Sequence, residues 1–208
     1  VDFLQNHDQI GNRALGDRLT SLVEGPALDA ALAVLLLAPM PPMMFMGEEW
    51  GSTRPFPFFC DFSGDLADAV RNGRRAEFAD AYADPALAVP DPLDGETFRA
   101  AKLDWSARSR GAHRRRLDLV RALLRVRRET VVPRLVGIAG FAASAEFAGD
   151  LLRAQWRLGD GSILRLLANI SQSAAARPAD YAGGTPVWGG EVPERLLPWT
   201  VFWSLGDQ

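Results

Sequence analysis

One segment near the start of the chain determines how we interpret the rest: Phe3-Leu4-Gln5-Asn6-His7-Asp8-Gln9-Ile10-Gly11-Asn12-Arg13. Its apolar opening predicts the end of a buried parallel strand, Phe3–Gln5, followed directly by three polar side chains. In an eight-stranded α/β barrel, the groups that perform chemistry stand at the carboxyl ends of the strands. Asp8 at such a position offers a fixed negative charge, and Asn6 and His7 offer hydrogen bonds. A plain turn is the alternative, because Asn, Asp and Gly all favour turns.

A second apolar segment follows after a predicted helix. Pro26 suits the first turn of a helix, and the predicted helix Ala27–Ala38 is apolar almost all round, so it must be buried on most sides. Pro39–Pro42 end the helix, and Met43–Met46 has the length and composition of a buried strand. A helix, a break and a strand after a first strand make one βαβ repeat, so we expect the two strands to be neighbours.

Gly47-Glu48-Glu49-Trp50-Gly51 stands at the end of this second predicted strand. Successive residues of an extended segment point to opposite sides, so one glutamate is expected to face a pocket while the other points away. We favour Glu49 toward the pocket, and the sequence leaves the choice between Glu48 and Glu49 open. Arg54 lies in the proline-broken aromatic segment that follows, and it is a candidate for contact with a ligand or with a nearby carboxylate.

Beyond Pro133 the hydrophobic period changes from helical to alternating, which predicts a domain boundary there. Gly159-Asp160-Gly161 separates two alternating segments, as in a β-hairpin. Four segments have the composition of strands: Leu151–Leu158, Ser162–Ile170, Val187–Trp188 and Trp199–Leu205. The sequence therefore predicts an α/β part, residues 1–132, followed by a small antiparallel β-domain, residues 133–208.

Composition and charge exclude several classes of protein. The net charge of -3 provides no basic excess for binding nucleic acid, and the single cysteine, Cys60, cannot form an internal disulfide. No signal segment opens the chain, and the longest apolar run, Ala30–Met40, is too short to span a bilayer. We therefore expect a cytoplasmic protein without nucleic-acid or membrane partners. No zinc-ligand spacing, phosphate loop or dinucleotide glycine pattern occurs, so we expect neither a metal nor an organic cofactor.

Three segments carry a resemblance to a known family. Asn6–Ala14 resembles the fourth signature region of the alpha-amylase clan (glycoside hydrolase family 13), and Gly47-Glu48-Glu49 resembles the motif after the eighth barrel strand of that clan. Within the clan, Asn6–Ala14 and the segment Val89–Trp105 are most similar to the trehalohydrolase family. The resemblance implies the last part of a TIM (β/α)8 barrel, strands 7 and 8, followed by a small antiparallel β-sandwich domain.

The resemblance also implies roles for individual residues. Asp8 would be the catalytic carboxylate that stabilises the transition state. An oxocarbenium-like transition state carries growing positive charge on the sugar ring, so a carboxylate aimed at the ring is most effective as that charge develops. The residue type of Trp50, apart from the resemblance, suits either stacking on a sugar face or packing at the barrel rim, and the sequence leaves both open. The expected substrate contacts are Asn6, His7, Gln9, Glu49, Trp50 and Arg54.

The reaction implied by the resemblance is glycosidic. The family hydrolyses the α-1,4 bond next to the terminal trehalose of a malto-oligosaccharide, with retention, using a nucleophile and a general acid on the fourth and fifth barrel strands. This chain begins at Val1 within the barrel and contains neither strand. We therefore expect a carboxyl-terminal fragment of a glycosidase, inactive without its amino-terminal part. The alternatives are a branching or debranching enzyme of the same clan and a non-catalytic carbohydrate-binding module.

Overall fold

The computed structural model describes residues 1–140 and 143–207. The α-helices in these ranges are α1 His7–Gly11, α2 Leu19–Leu22, α3 Gly25–Leu37, α4 Gly64–Glu77, α5 Ala79–Ala83, α6 Gly95–Ala100 and α7 Gly111–Val126. The strands are β1 Ala143–Ala148, β2 Leu151–Arg157, β3 Ile163–Asn169, β4 Ala175–Ala176, β5 Thr185–Trp188, β6 Arg195–Leu196 and β7 Thr200–Gly206. Short 3-10 turns occur at Glu48–Trp50, Ala107–Ser109 and Val132–Arg134, and a π-helical turn occurs at Arg127–Val131.

The chain divides into two compact units. One comprises Val1–Leu4, Glu24–Met43 and Asp118–Gln208, and the other comprises Gln5–Val23 and Met44–Leu117. The boundary predicted at Pro133 does not separate these units, because α3 groups with the β-strands. Within the described ranges, no helix combines the length and the apolar character needed to cross a bilayer.

The β-strands form two antiparallel sheets in the first unit. The larger sheet has the order β1-β2-β3-β7-β5, and β4 pairs with β6 in a small second sheet. Leu151, Leu167, Leu196 and Phe202 share one buried cluster, which joins the large sheet to β6 of the small sheet. The predicted hairpin is confirmed: β2 and β3 pair in register from Leu151 with Asn169 to Arg157 with Ile163. The two later strand predictions correspond to β5 and β7.

Helix α3 is buried against the sheet, as its apolar sequence predicts. Leu32, Leu36 and Leu37 are completely buried. The indole N–H of Trp203, on β7, donates to the carbonyl of Ala33 at 3.2 Å. Because an indole buried without an acceptor is costly, this bond fixes the strand to one position along the helix.

The two predicted barrel strands are not present as strands. Asp2 and Pro42 form an isolated parallel bridge, in which the Asp2 N–H donates to the Pro41 carbonyl at 3.0 Å and the Met43 N–H to the Asp2 carbonyl at 2.8 Å. The bridge is parallel, as predicted for Phe3–Gln5 and Met43–Met46, but it lies just before these segments, and neither of them forms a strand. Proline lacks an N–H, so the ladder cannot continue back through residues 41 and 42.

Candidate active site

Helix α1 carries the predicted catalytic segment in the second unit. Asn6 is its N-cap: its side-chain oxygen accepts the Asp8 N–H at 2.7 Å, while the Asn6 N–H donates to the side-chain oxygen of Gln9 at 2.9 Å. This reciprocal pair is a capping box, which satisfies N–H groups that a helix start leaves without partners. The polar triplet is therefore a helix start, and Asp8 is held in the first turn of that helix.

The side chains of His7 and Asp8 face outward. They are 68% and 67% exposed, and the His7 Nε2 lies 3.2 Å from a carboxylate oxygen of Asp8. The Asp8 carboxylate is thus open to a ligand, with an imidazole beside it. Asp8 lacks a packed environment of its own, so its position depends on how the α1 backbone is held.

The two glutamates of the second motif lie in a 3-10 turn, where the sequence predicts an extended segment. Gly47 (φ 86°) and Gly51 (φ 65°) flank the turn in the left-handed region, which suits glycine. The glutamates nevertheless separate: Glu48 is 1% exposed, whereas Glu49 is half-buried. Of the two, Glu49 is therefore the one that retains access to solvent.

A buried bond joins the two motifs. The Gln5 side chain, which is completely buried, donates from Nε2 to Oε1 of Glu48 at 3.1 Å and accepts the Leu19 N–H at 3.0 Å. The other carboxylate oxygen of Glu48 accepts the Phe45 N–H at 3.1 Å. Gln5 immediately precedes the capping box and Glu48 immediately precedes Glu49, so this bond brings the predicted site segments into one neighbourhood.

Arg18 is a second buried charge in the same region. It is 1% exposed, and its guanidinium donates to the carbonyls of Arg54 at 2.5 Å and Met46 at 2.8 Å. Burial lowers the pKa of Arg18, and the nearby charge of Glu48 opposes that shift. Burial likewise raises the pKa of Glu48, while the Phe45 N–H, Gln5 and Arg18 act to lower it. Sequence patterns that assign charged residues to the surface miss both groups.

The side chain of Trp50 is packed inside the protein. It is 2% exposed, and its ring lies 5.0 Å from that of Trp105. Its carbonyl lies 3.0 Å from Nδ1 of His113. The ring is therefore inside the protein and is not presented to a sugar in this structure.

Arg54 is exposed and its charge acts on a nearby carboxylate. The pKa of Asp104 lies below its usual value because Ser106 donates hydrogen bonds to it, with smaller contributions from the charges of Arg110 and Arg54. Arg54 thus interacts with a nearby carboxylate, which is one of the two roles considered for it, and its guanidinium remains accessible. Contact between Arg54 and substrate stays a prediction.

Arg74 holds the far end of α1. Its guanidinium donates to the Gly11 carbonyl at 2.8 Å and lies 4.5 Å from the ring centre of Phe78 and 5.1 Å from that of Phe58. Its side chain is only 14% exposed. The basic run Arg71, Arg74 and Arg75 predicts a solvated helix face. The guanidinium of Arg74 instead lies over two aromatic rings, because cations are attracted to ring faces.

The donor set gives no metal centre in the described part of the chain. No group of three or more His, Cys, Asp or Glu side chains there is arranged to hold a metal ion. The chemistry that the site offers is that of carboxylates, an imidazole and amide groups.

Comparison with solved structures defines the class. A putative alpha amylase from Salmonella typhimurium matches 99% of this chain with a TM-score of 0.89 and 39% sequence identity, over 35% of its own length. The fold is thus that of part of an alpha-amylase-type enzyme, with a barrel portion and an antiparallel β-domain, as predicted. A domain of unknown function, DUF3459, matches residues 139–203.

Curated relatives that share one name match nearly the whole chain. The malto-oligosyltrehalose trehalohydrolase of Brevibacterium helvolum is 40% identical over 206 residues, which is 95% of this chain and 33% of the relative. That of Deinococcus radiodurans is 46% identical over 201 residues, 97% of this chain and 30% of the relative. Nearly the whole chain is thus similar to malto-oligosyltrehalose trehalohydrolases, and it spans about a third of the length of the curated relatives it matches.

Proposed function

We propose that this chain is part of a retaining glycosidase that hydrolyses the α-1,4 bond next to the terminal trehalose of malto-oligosyltrehalose. The main support is the similarity of nearly the whole chain to trehalohydrolases, 46% over 97% of its length in one case. The exposed Asp8 on a capped helix start supplies the accompanying chemistry.

Asp8 acts on the transition state in this proposal. As the glycosidic bond breaks, positive charge grows on the sugar ring. A carboxylate whose backbone is already held by a capping box can stabilise that charge without reorganising. The carboxylate interacts more strongly with the cationic ring than with the neutral substrate, so Asp8 contributes mainly to kcat.

The remaining predicted contacts orient the substrate. The side-chain oxygens of Asn6 and Gln9 accept backbone N–H groups, but each amide also carries an NH2 group that can donate to a sugar hydroxyl. His7 beside Asp8, Glu49 at the neighbouring turn and the exposed Arg54 provide further polar groups. Trp50 contributes through packing.

The nucleophile and the general acid are expected from the amino-terminal part of the complete protein, which is the partner of this segment. A retaining glycosidase needs two carboxyl groups about 5–5.5 Å apart on either side of the scissile bond. Asp8 cannot perform both of those roles in addition to its own. The upstream coding sequence should therefore contain an aspartate and a glutamate at the ends of two earlier barrel strands.

The decisive experiment compares Asp8→Asn with the wild type in the complete gene product. We expect kcat for trehalose release to fall by about 10²-fold or more, because an electrostatic contact to the transition state is lost. Asp65→Asn is the matched control, since Asp65 is also an acidic residue in the first turn of a helix.

Product analysis separates the candidate enzymes. Free trehalose from malto-oligosyltrehalose supports the proposal, whereas maltose or branched glucan indicates a different enzyme of the clan. Equal activity of Asp8→Asn and the wild type would contradict the assigned role. Tight binding of malto-oligosaccharide without turnover by the complete product would favour the binding-module alternative.

A further inference from the structure

The helix that carries Asp8 is too short to be stable by itself. It has five residues, whereas isolated helices shorter than about 12–15 residues are marginal in water. The capping box satisfies its first N–H groups but does not attach the helix to the rest of the protein. Contacts outside α1 must therefore fix the position of Asp8.

One such contact precedes the helix. Gln5 is completely buried and bonds with both ends of its amide, to Glu48 at 3.1 Å and to the Leu19 N–H at 3.0 Å. Glu48 is in turn fixed by the Phe45 N–H. The start of α1 is thereby tied to the Glu48–Trp50 turn and to α2.

The second contact is at the other end of the helix. Arg74 donates from Nη2 to the Gly11 carbonyl at 2.8 Å, and its guanidinium is fixed between Phe58 and Phe78. The Asn12 side chain is also near, with its oxygen 3.4 Å from Nη1 of Arg74. Arg74 therefore attaches the end of α1 to α4.

We propose that Gln5, Glu48 and Arg74 are positioning residues that hold the α1 backbone so that the Asp8 carboxylate meets the reacting sugar. This rests on the proposed function of Asp8. The Asp8 side chain is 67% exposed, so its aim is set through the backbone and not by packing around the carboxylate. Misplacement of a catalytic group by about 1 Å can cost about 10²-fold in rate.

The experiment is a double-mutant cycle in the complete gene product, with kcat expressed per folded protein. We expect Arg74→Ala and Gln5→Ala to lower kcat by about 10- to 100-fold, with KM changed by less than about twofold because transition-state contacts act on kcat. Arg74→Lys, which keeps the charge, should recover part of the loss. Arg71→Ala is the matched control: Arg71 is on the same helix, but its guanidinium pairs with Asp91.

The double variant with Asp8→Asn distinguishes positioning from general structural support. Once Asp8 is lost, Arg74→Ala should have little further effect on kcat, because the group it positions is gone. A loss as large in the Asp8→Asn background as in the wild type would overturn the proposal, as would an unchanged kcat in both Arg74→Ala and Gln5→Ala. If the wild type cleaves another α-glucan, the proposed function fails, and the same cycle on that substrate still tests the positioning.

Discussion

Glu48 lies almost wholly inside the protein, at 1% exposure, and its ionisation depends on that burial. Desolvation disfavours the charged form, so the pKa of Glu48 rises above 4.5, although Gln5, Arg18 and the Phe45 N–H counteract the shift. The folded protein therefore holds this proton more tightly than the unfolded chain does. The contribution of Glu48 to stability is fully present below the unfolded pKa and is lost as the pH rises through the folded pKa.

Glu48→Gln should remove this dependence on pH. Above about pH 4.5 the wild type loses the stability that protonated Glu48 contributes, whereas the variant has no such group to ionise. The melting temperature of the variant relative to the wild type should therefore increase as the pH rises. The midpoints of thermal unfolding of the complete gene product, measured from about pH 4 to pH 8, check this expectation. Glu49→Gln, one residue along, is the control. A difference that does not vary with pH would contradict the expected raised pKa.

Individual residues differ in how far the sequence could predict them. Asn6, His7 and Asp8 are consecutive residues, so the sequence alone shows that they lie close together. Gln5 and Glu48 are 43 residues apart, and no local pattern connects an amide with a carboxylate over that distance. Arg18 and Arg74 reverse the usual rule that arginine is exposed, because backbone carbonyls and aromatic faces replace water around them.

At the scale of elements, the carbonyls at the carboxyl end of helix α3 have a partner that the local sequence does not predict. Prolines at 39, 41 and 42 follow it, so the chain cannot provide the usual N–H partners for the final carbonyls. The guanidinium of Arg127 donates to one carbonyl in the last turn, that of Leu36 at 3.1 Å, and to three carbonyls just after the helix, those of Ala38, Pro39 at 3.2 Å and Met40 at 2.9 Å. Arg127 is 8% exposed, and burial lowers its pKa.

Arg127→Met should destabilise the protein strongly. The substitution leaves several buried carbonyls without donors, at about 1–3 kcal/mol for each group that is not resolvated, so we expect a loss of at least about 2 kcal/mol. Arg127→Lys should recover part of it, since a cation at a helix end also interacts favourably with the helix dipole. Thermal or denaturant unfolding of the complete product measures the change. Arg128→Met is the control: its side chain is 73% exposed, and a similar loss there would refute the capping role.

The sequence predicts the antiparallel hairpin better than it predicts the parallel strands. The hairpin β2–β3 has alternating residues and a Gly-Asp-Gly turn, so local pattern specifies it. Strand β1 (Ala143–Ala148) is not among the predicted strands: all six residues are exposed, so no buried face requires apolar residues at alternate positions. The segments Phe3–Gln5 and Met43–Met46 have strand composition but form no strand; the isolated parallel bridge joins Asp2 and Pro42, just before them. Parallel strands depend on neighbours on both sides and on covering helices, which local sequence does not contain.

At the scale of the whole molecule, the proposed hydrolysis requires more groups than we assign to this chain. Protonation of the leaving oxygen and formation of a glycosyl-enzyme intermediate need two carboxyl groups facing one sugar, about 5–5.5 Å apart. We expect those groups on earlier barrel strands, and the chain spans about a third of the curated relatives it matches. In the proposed function, Asp8 stabilises a cation that those other groups generate.

The purified 208-residue chain should therefore release no trehalose from malto-oligosyltrehalose, whereas the complete gene product should release it. Chromatographic detection of trehalose over long incubation measures both, and near-ultraviolet circular dichroism of the chain establishes that its aromatic packing is formed. Adding the separately expressed amino-terminal part should restore turnover if the two parts associate, and Asp8→Asn in the chain should abolish that restoration. Trehalose release by the folded chain alone would show that the two missing carboxyl groups are supplied by residues within it.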